Sequence, residues 1–499
     1  MQATQFHITS LLDQVISGLP GLLPELVLIA AFVLSIFSGV FVDRLWRHST
    51  LAVALLGMIA AAVCSGLELR TPAAENLLFG TVLPDAFAGY IRIFIAAACI
   101  LFALSIVANP DFTAHRKKTA DLYSVLIAVH IGLNLMVMAT HWLMLFVAIE
   151  LVSIGSYIMV GYLAKEARQT EAAMKYALFG AVCSAVMLYG LSLLYGFTGS
   201  LEFTAQPFID GLTATPPLLT TLALLLVFTG IGFKLSFVPF HFWSPDVYQG
   251  APTPVTAFLS TAPKIAGMAM LVRILYAWPE SSAPAQSLHT MLLVAAIATM
   301  LLGNLAALRQ ANVKRMMAYS SIGHTGFLMM AALAYSAGDY TVLLFYLAVY
   351  TIMNMGVFML ADHIESRTGA TDLAAYNGLG KRVPLAMVCF VILVISLTGI
   401  PPTAGFVSKL LIFSVVFERW QATGNPGMIG LLIVGALTTV ISLFYYFKVP
   451  LNAFLKKPDA DQTMETAPLS GGLLWLIVIL SGATLVFGIF PQWLTNWFG

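Results

Sequence analysis

The sequence predicts an all-α membrane protein whose chain crosses a lipid bilayer many times. Hydrophobic residues make up 60% of the 499 positions and charged residues only 9%, whereas a soluble globular protein carries roughly 25% charged residues. Uncharged runs such as 218–233 and 291–307 approach the ~20 residues that a helix needs to cross the hydrocarbon layer. Lysine and arginine are concentrated in every second loop between these runs. This pattern is typical of a protein whose loops lie alternately on the two sides of a membrane. Lipid is therefore the expected solvent around most of the chain.

Fourteen apolar runs separated by polar segments are the predicted transmembrane helices. In chain order the spans are 21–42, 49–66, 86–108, 121–140, 142–164, 172–197, 217–245, 253–278, 288–308, 312–335, 339–362, 384–418, 427–455 and 470–493. The twelfth run is too long for one straight span. A single transmembrane domain over 1–499 is predicted, with spans 1–3 in 1–120, a first repeat in 121–278, a second repeat in 288–455 and the last span at 470–493.

Lysine and arginine are distributed unequally between the two sets of loops, which fixes the predicted orientation. If the N-terminus faces outward, nearly all loop cations fall on the inner side, and the outer loops hold Arg70 and Arg419. Residues 1–20 contain no lysine or arginine, so they lack the basic region of a signal peptide and the arginine-rich character of a transit peptide. The expected location is a bacterial plasma (inner) membrane with both termini on the periplasmic side. A mitochondrial inner membrane is the alternative.

The sequence contains no motif for a cofactor or a metal. Its four cysteines stand singly in apolar runs without a C-x-x-C pair, which argues against an iron–sulfur cluster, a zinc site or a disulfide framework. The phosphate loop G-x-x-x-x-G-K-[ST] and the dinucleotide turn G-x-G-x-x-G are both absent. We therefore expect no cofactor and no direct NADH binding on this chain. The net charge of +1 gives no reason to expect a nucleic acid partner.

Ionisable residues inside the spans are functional candidates, because a charge at the bilayer centre costs roughly 2.5–3.5 kcal/mol on insertion scales. Three of them, Arg92, Arg273 and Lys448, lie near predicted span ends. A long side chain there can extend to the interface and keep its charge in water. For these three residues we expect such interfacial positions.

Four deeper charges, Glu150, Lys234, Lys264 and Lys409, predict a proton path. A structural ion pair with Glu150 would account for one lysine and would leave two lysines unexplained. A desolvated lysine releases its proton more easily, and an approaching carboxylate favours the protonated form. Movement of Glu150 would then switch Lys234 between holding and releasing a proton. Arginine does not serve this purpose because it stays protonated.

Three histidines in or beside the spans can relay protons, since histidine titrates near neutral pH. His241 follows Pro239 and His324 lies in the tenth span, and both are candidates for the path. His130 in the fourth span is a weaker candidate, because a buried histidine is more often a hydrogen-bonded core residue. None of these residues has the paired spacing of a metal site, so no metal is predicted.

Two predicted spans are interrupted by helix-breaking residues. Span 7 has Pro239 in its apolar stretch, and span 12 has Gly399, Pro401, Pro402 and Gly405 near its middle. Proline removes a backbone donor and clashes with the preceding turn, and unwound backbone is tolerated at membrane depth where protein or a water-lined cavity satisfies it. Broken helices at matching places indicate two inverted five-helix repeats, spans 4–8 and 9–13, with an ion site at the breaks.

Several longer segments resemble one protein family. The strongest are HFWSPDVYQGAPTPVTAFLSTAPKIA from His241, RMMAYSSIGHTGFL from Arg315 and LFVAIELVSIGSYIMVGY around Glu150, and weaker ones are LAAYNGLGKRVPLA and GIPPTAGFVSKL. On these segments the chain resembles the antiporter-like subunit N, or ND2-type subunit, of respiratory complex I, the proton-pumping NADH:quinone oxidoreductase. The resemblance extends over nearly the whole chain.

The resemblance implies a role for each charged residue in the spans. Glu150 would be the fifth-span carboxylate that modulates Lys234. Lys264 would be the connecting lysine and Lys409 the exit-side lysine in the broken twelfth span. His324 matches the family's tenth-span histidine. The implied protein is a non-redox subunit of a proton-translocating enzyme, because NADH oxidation and quinone reduction would take place in other subunits.

The implied partners are lipid and the neighbouring membrane-arm subunits, including subunits M and K. A subunit of an Mrp-type sodium/proton antiporter is the main alternative, since it would share the equivalents of Glu150 and Lys234. The segment at His241 and the chain length favour subunit N. A membrane subunit of a hydrogenase-type complex is a third possibility with the same fold.

Overall fold

A computed structural model of the chain describes residues 12–43, 45–72, 75–114, 116–164, 167–335, 339–457 and 471–498. The regular secondary structure in these ranges is helical, and the connecting loops contribute only isolated bridges. The main helices are α1 (Leu23–Phe37), α2 (Ser49–Glu68), α3 (Ala86–Ala108), α4 (Arg116–Met138), α5 (Trp142–Val160), α6 (Ala167–Thr198), α7 (Pro217–Leu235), α8 (Trp243–Gly250), α9 (Thr253–Leu275), α10 (Ala283–Ala307), α11 (Val313–Ala334), α12 (Thr341–Thr368), α13 (Pro384–Thr398), α14 (Ala404–Thr423), α15 (Pro426–Tyr446) and α16 (Gly471–Ile489).

Within the described ranges, twelve helices are long and apolar enough to cross a membrane. The predicted all-α membrane architecture is therefore confirmed, whereas the count of fourteen spans stays a prediction. The two predicted spans outside the twelve are 312–335 and 384–418. The first corresponds to α11, whose polar residues lower its hydropathy and whose side chains are almost all buried against protein. The second corresponds to the pair α13 and α14: α13 has only 15 residues, and α14 has 20 but includes the charged residues Lys409, Glu418 and Arg419.

Burial separates a central group of helices from a lipid-facing periphery. The side chains of α9, α11 and α12 are almost entirely enclosed by other helices. Helices α6, α15 and α16 instead bury little of their surface and expose large apolar side chains. Polar residues at membrane depth are thus concentrated where protein, rather than lipid, surrounds them.

The first interruption, in span 7, separates α7 from α8. Helix α7 ends at Leu235, and Ser236 adopts a left-handed conformation with φ of 58°. Pro239 lies in the irregular segment that follows, and α8 begins at Trp243. The Trp243 indole N–H donates to the Phe233 carbonyl over 3.1 Å. This bond satisfies a carbonyl in the last turn of α7 at a depth where water is scarce.

The second interruption, in span 12, separates α13 from α14. Gly399 has a φ of +87°, a conformation that glycine adopts without strain. Gly405 lies so close to α13 that a Cβ there would be 1.8 Å from the Ser396 carbonyl oxygen. The Ser396 hydroxyl accepts a hydrogen bond from the Gly405 amide over 3.1 Å. Glycine at 405 is therefore required for the two half-helices to pack together.

The two predicted repeats show the same pattern of packing. In the first, α4 packs on α5 and α9, and α6 packs on α5, α7 and α8. In the second, α10 packs on α11 and α15, and α12 packs on α11, α13 and α14. This agreement is what an internal repeat would produce. The inverted relation between the two units stays a prediction.

The expectation that the Arg92 side chain reaches water is wrong, although the residue does lie near the outer end of its predicted span. Its side chain is 1% exposed and bonds two carboxylates, those of Glu25 and Glu68. Because the two carboxylates pair with the guanidinium, its charge is compensated without contact with water, which the expectation had assumed. Arg273 and Lys448 do lie near helix ends, where Arg273 bonds Asp85 over 2.6 Å and Lys448 donates to the Leu308 carbonyl.

Candidate proton path

The first part of the candidate path lies between α5, α6 and α7. Lys234, in the last turn of α7, is 3% exposed, and its ammonium donates to the Ser153 hydroxyl over 3.2 Å. Glu150 lies one helical turn before Ser153 on α5 and accepts a hydrogen bond from Ser184 of α6. In the described structure no ion pair within 4.0 Å joins Glu150 to Lys234. A fixed ion pair is therefore not the arrangement seen here.

Thr325 of α11 links the end of α7 to Lys264. Its hydroxyl lies 3.3 Å from the carbonyl oxygen of Leu235, which is the residue next to Lys234. The Lys264 ammonium donates to the same hydroxyl and to the Ser321 carbonyl, each over 3.1 Å. Lys264 is 1% exposed, so these oxygens replace its hydration shell. A single hydroxyl thus connects the first break with the central lysine.

A second set of hydroxyls is connected to Lys264 through Ser321, whose carbonyl accepts from the ammonium. The Tyr350 hydroxyl lies 2.9 Å from the Ser321 hydroxyl and donates to the Ser260 carbonyl over 2.8 Å. The Asn354 amide also donates to the Ser260 hydroxyl, over 2.6 Å. These side chains come from α9, α11 and α12, the three most enclosed helices. The two groups that bond Lys264 are thus neutral oxygens, and one of them belongs to a residue that continues into this hydroxyl network.

His324 lies between two tyrosine hydroxyls. Its Nδ1 is 2.6 Å from the Tyr346 hydroxyl, and its Nε2 is 3.2 Å from the Tyr446 hydroxyl. The Ser320 hydroxyl is hydrogen-bonded to Tyr446 in turn. A neutral imidazole donates from one nitrogen and accepts at the other, and a hydroxyl does both. This arrangement accommodates either tautomer, so His324 can pass a proton from one hydroxyl to the other.

Lys409 of α14 occupies the second break. Its ammonium donates to the carbonyl of Thr398, the last residue of α13, over 2.8 Å, and lies 4.8 Å from the centre of the Phe327 ring. The end of a helix carries a partial negative charge, and an aromatic face attracts a cation. A Cβ at Gly399 would lie 2.8 Å from Lys409 Cδ, so only glycine leaves this position open.

Two of the histidines are not connected to this chain of residues. His241 is buried, its Nδ1 has no hydrogen-bond partner in the described structure, and its ring lies 4.4 Å from that of Phe242. His130 is 1% exposed, and in the same ranges neither ring nitrogen is hydrogen-bonded. The proposed relay role of His241 has no geometric support from these contacts and stays a prediction.

Sequence reasoning missed the neutral residues of the path. Ser153, Thr325, Tyr346, Tyr350 and Tyr446 supply the hydroxyls between the charged groups. A partial signal was available, since Ser153 lies one helical turn from Glu150 and Thr325 is adjacent to His324. Hydroxyl residues are too common in helices for that spacing alone to identify them.

At the predicted inner side, an ionic cluster holds α8 through Asp246 in its first turn. Asp246 bonds Lys175 of α6 over 2.9 Å and Arg315 of α11 over 2.5 Å. Arg315 also donates to the Gln249 side chain over 3.2 Å. Partial burial raises the pKa of Asp246, but hydrogen bonds from Lys175 and Arg315 and their charges lower it further, to a net value below the usual one. Asp246 therefore stays ionised and joins α8 to helices of both units.

Residues 139–442 match the family described as NADH:quinone oxidoreductase/Mrp antiporter, transmembrane region. Among curated relatives, NADH-quinone oxidoreductase subunit N 2 of Chloroherpeton thalassium is 37% identical, covering 97% of this chain and 94% of that protein. NADH-quinone oxidoreductase subunit N of Chlorobium chlorochromatii is 36% identical, with the same two coverages.

Solved structures share the fold over nearly the full length. A chain of respiratory complex I from Thermus thermophilus has a TM-score of 0.77 and 29% identity, covering 95% of this chain and 98% of that chain. A chain of the Mrp complex from Dietzia has a TM-score of 0.80, covers 96% of both chains and is 19% identical, which establishes the shared fold alone.

Proposed function

The chain belongs to the NADH:quinone oxidoreductase/Mrp antiporter family, and on that basis we propose that it is a proton-translocating membrane-arm subunit of an NADH:quinone oxidoreductase, the subunit N type of respiratory complex I. Its full-length similarity to proteins named as that subunit favours this function over an Mrp-type antiporter subunit. The likeness to the Mrp chain concerns the fold.

The observation that carries the proposal is the line of polar side chains through the enclosed centre of the helix bundle. It runs from Glu150 and Lys234, through Thr325 to Lys264, and past His324 to Lys409. Three buried lysines bound mostly to neutral oxygen atoms are costly at this depth. Such a cost is expected where a charge must come and go, rather than where it only holds helices together.

In the proposed mechanism Glu150 controls the charge on Lys234. When the carboxylate is ionised and near, Lys234 holds a proton, and when its influence is removed, Lys234 releases it. Lys264 receives the proton with the help of the Thr325 hydroxyl. His324 passes it between Tyr346 and Tyr446, and Lys409 delivers it towards the exit. NADH oxidation and quinone reduction take place in other subunits, so this chain contributes no redox group.

Glu150 also supports an assembly with other membrane subunits. Although it lies within a span, its side chain is only half-buried, and it is flanked on α5 by the exposed residues Val147 and Ile154. A carboxylate facing lipid would be costly. The proposed neighbours are other membrane-arm subunits, among them M and K, with lipid around the remaining surface. The proposed location is a bacterial inner membrane with both termini on the periplasmic side.

The test of this function is ion transport by the purified assembly in sealed proteoliposomes. NADH with a quinone should produce a proton gradient that a protonophore abolishes, and removal of sodium should leave the rate unchanged. Lys456, an exposed residue near the end of the thirteenth span, supplies the control variant Lys456→Ala, which should pump normally. Sodium/proton exchange in an assembly that does not oxidise NADH would instead identify the Mrp-type function.

A further inference from the structure

A second ionic cluster lies among the first four spans. Unlike the inner cluster at Asp246 it is buried, and it is separate from the lysine path. It consists of Glu25 of α1, Glu68 of α2, Arg92 of α3 and Asn134 of α4. Glu25 and Arg92 are 4% and 1% exposed. Along the predicted topology these residues lie at the outer ends of their spans. The four helices thus enclose a polar site close to the outer surface.

The hydrogen bonds in the cluster leave one carboxylate oxygen without a donor. Arg92 donates to Glu25 Oε2 over 3.2 Å and to Glu68 Oε2 over 2.7 Å. The Asn134 amide donates to Glu25 Oε1 over 2.9 Å. Glu68 Oε1 and the Asn134 amide oxygen are buried, and within the described structure both lack a hydrogen-bond partner. Arg92 Nε is likewise buried and unpaired.

Two carboxylates and one guanidinium give the cluster one negative charge in excess. A buried charge without a compensating partner costs far more than a buried neutral group. Among the described residues, the other groups facing the carboxylates do not supply a cation, since Cys64 of α2 is a thiol and Asn134 is neutral. One bound proton removes the excess charge, and Glu68 Oε1 is the carboxylate oxygen that has no donor in the described structure.

We propose that the Glu25–Arg92–Glu68 cluster is an outer-side proton-binding site, separate from the lysine path, in which the two carboxyls share one exchangeable proton. Glu68 is the entry point, because its side chain is 17% exposed and lies at the end of α2, whereas that of Glu25 is 5% exposed. Asn134 keeps Glu25 oriented towards Arg92. The outer position follows from the predicted orientation, and the site does not depend on the function of the lysine path.

The test is infrared difference spectroscopy of the purified assembly between acidic and alkaline buffers, which detects protonated carboxyl groups. The wild type should show a carboxyl band from this site. Glu68→Gln and Glu25→Gln should each abolish that band, because the remaining carboxylate is then neutralised by Arg92. Arg92→Gln should instead add a second protonated carboxyl. Glu75 is exposed in the loop that follows α2. It supplies the control variant Glu75→Gln, which should leave the spectrum unchanged.

A carboxyl band that survives unchanged in both Glu68→Gln and Glu25→Gln would overturn the proposal. That result would mean that both carboxylates are ionised and that the cluster serves only to pack α1–α4. Glu68 lies at a helix end and is partly exposed, so Glu68→Gln is the variant expected to fold and assemble most readily. In sealed right-side-out vesicles, a pH jump applied only to the external medium should change the band at once, and a response only to the pH of the lumen would contradict the outer-side assignment.

Discussion

The two halves of the candidate path stabilise buried lysines in different ways. In the first half, Lys234 lies near a carboxylate, and Glu150 is one helical turn from the serine that Lys234 bonds. In the second half, Lys264 and Lys409 bond backbone carbonyls, a threonine hydroxyl and an aromatic face. A carboxylate can be moved or protonated, whereas a helix end cannot. The first half is therefore suited to respond to a change at its carboxylate, and the second half is suited to conduct protons.

The largest effect is expected at Lys264, where the two halves meet. Lys264→Met removes the ammonium bonded to Thr325 and should lower proton pumping roughly 100-fold, the scale of losing a proton-transfer group. NADH oxidation with an artificial acceptor should continue, because it does not use this path. Pumping and oxidation are measured together in proteoliposomes, with Lys456→Ala as the control.

Lys264→Arg sharpens the same comparison. Arginine keeps a positive charge and hydrogen-bond donors but does not release its proton. If the charge of Lys264 only fixes the helices, Lys264→Arg should pump well. If Lys264 carries the proton, the arginine variant should be nearly as inactive as Lys264→Met, and that is the outcome we expect.

Glu150→Gln tests whether the first half depends on a carboxylate. Glutamine can keep the hydrogen bond with Ser184 but loses the charge that acts on Lys234. We expect pumping to fall about tenfold, equivalent to roughly 1.4 kcal/mol in the barrier. Ser184→Ala serves as a comparison, since it removes the hydrogen bond and keeps the charge. A larger loss in Ser184→Ala than in Glu150→Gln would show that hydrogen bonding, rather than charge, is what matters.

The charged residues and the broken helices were predictable from the sequence because each violates a strong rule. A lysine in a span is costly, and proline or clustered glycine interrupts a helix. The hydroxyls that connect the lysines violate no rule, so they were not found. The burial of Arg92 was not predicted because its partners, Glu25 and Glu68, lie 67 and 24 residues away in the chain. Such pairings arise from helix packing, which the sequence pattern does not specify.

A smaller effect is expected for His324→Gln in the second half. Glutamine can hydrogen-bond to Tyr346 and Tyr446 but cannot exchange a proton between two ring nitrogens. If proton transfer passes through the imidazole, pumping should fall several-fold, about 3- to 10-fold, with assembly unchanged. His130→Gln is the matched control, because His130 is buried but has neither nitrogen bonded in the described ranges. Equal losses in both variants would place His324 outside the conducting route.

The smallest effect is expected for Asp246→Asn, which changes the inner cluster that holds α8 and leaves both halves of the path intact. The ion pairs are partly exposed, so the thermal unfolding midpoint of the assembly should shift by no more than about 2 °C at neutral pH.

The pKa of Asp246 is lowered in the folded chain, so its stabilising contribution is complete at neutral pH and is lost as the pH falls through that lowered value. The unfolding midpoints of the wild type and Asp246→Asn should therefore differ by a constant amount from pH 8 to 6 and converge only below about pH 4, near the usual aspartate pKa. Convergence already near neutral pH would mean that another group titrates in the cluster.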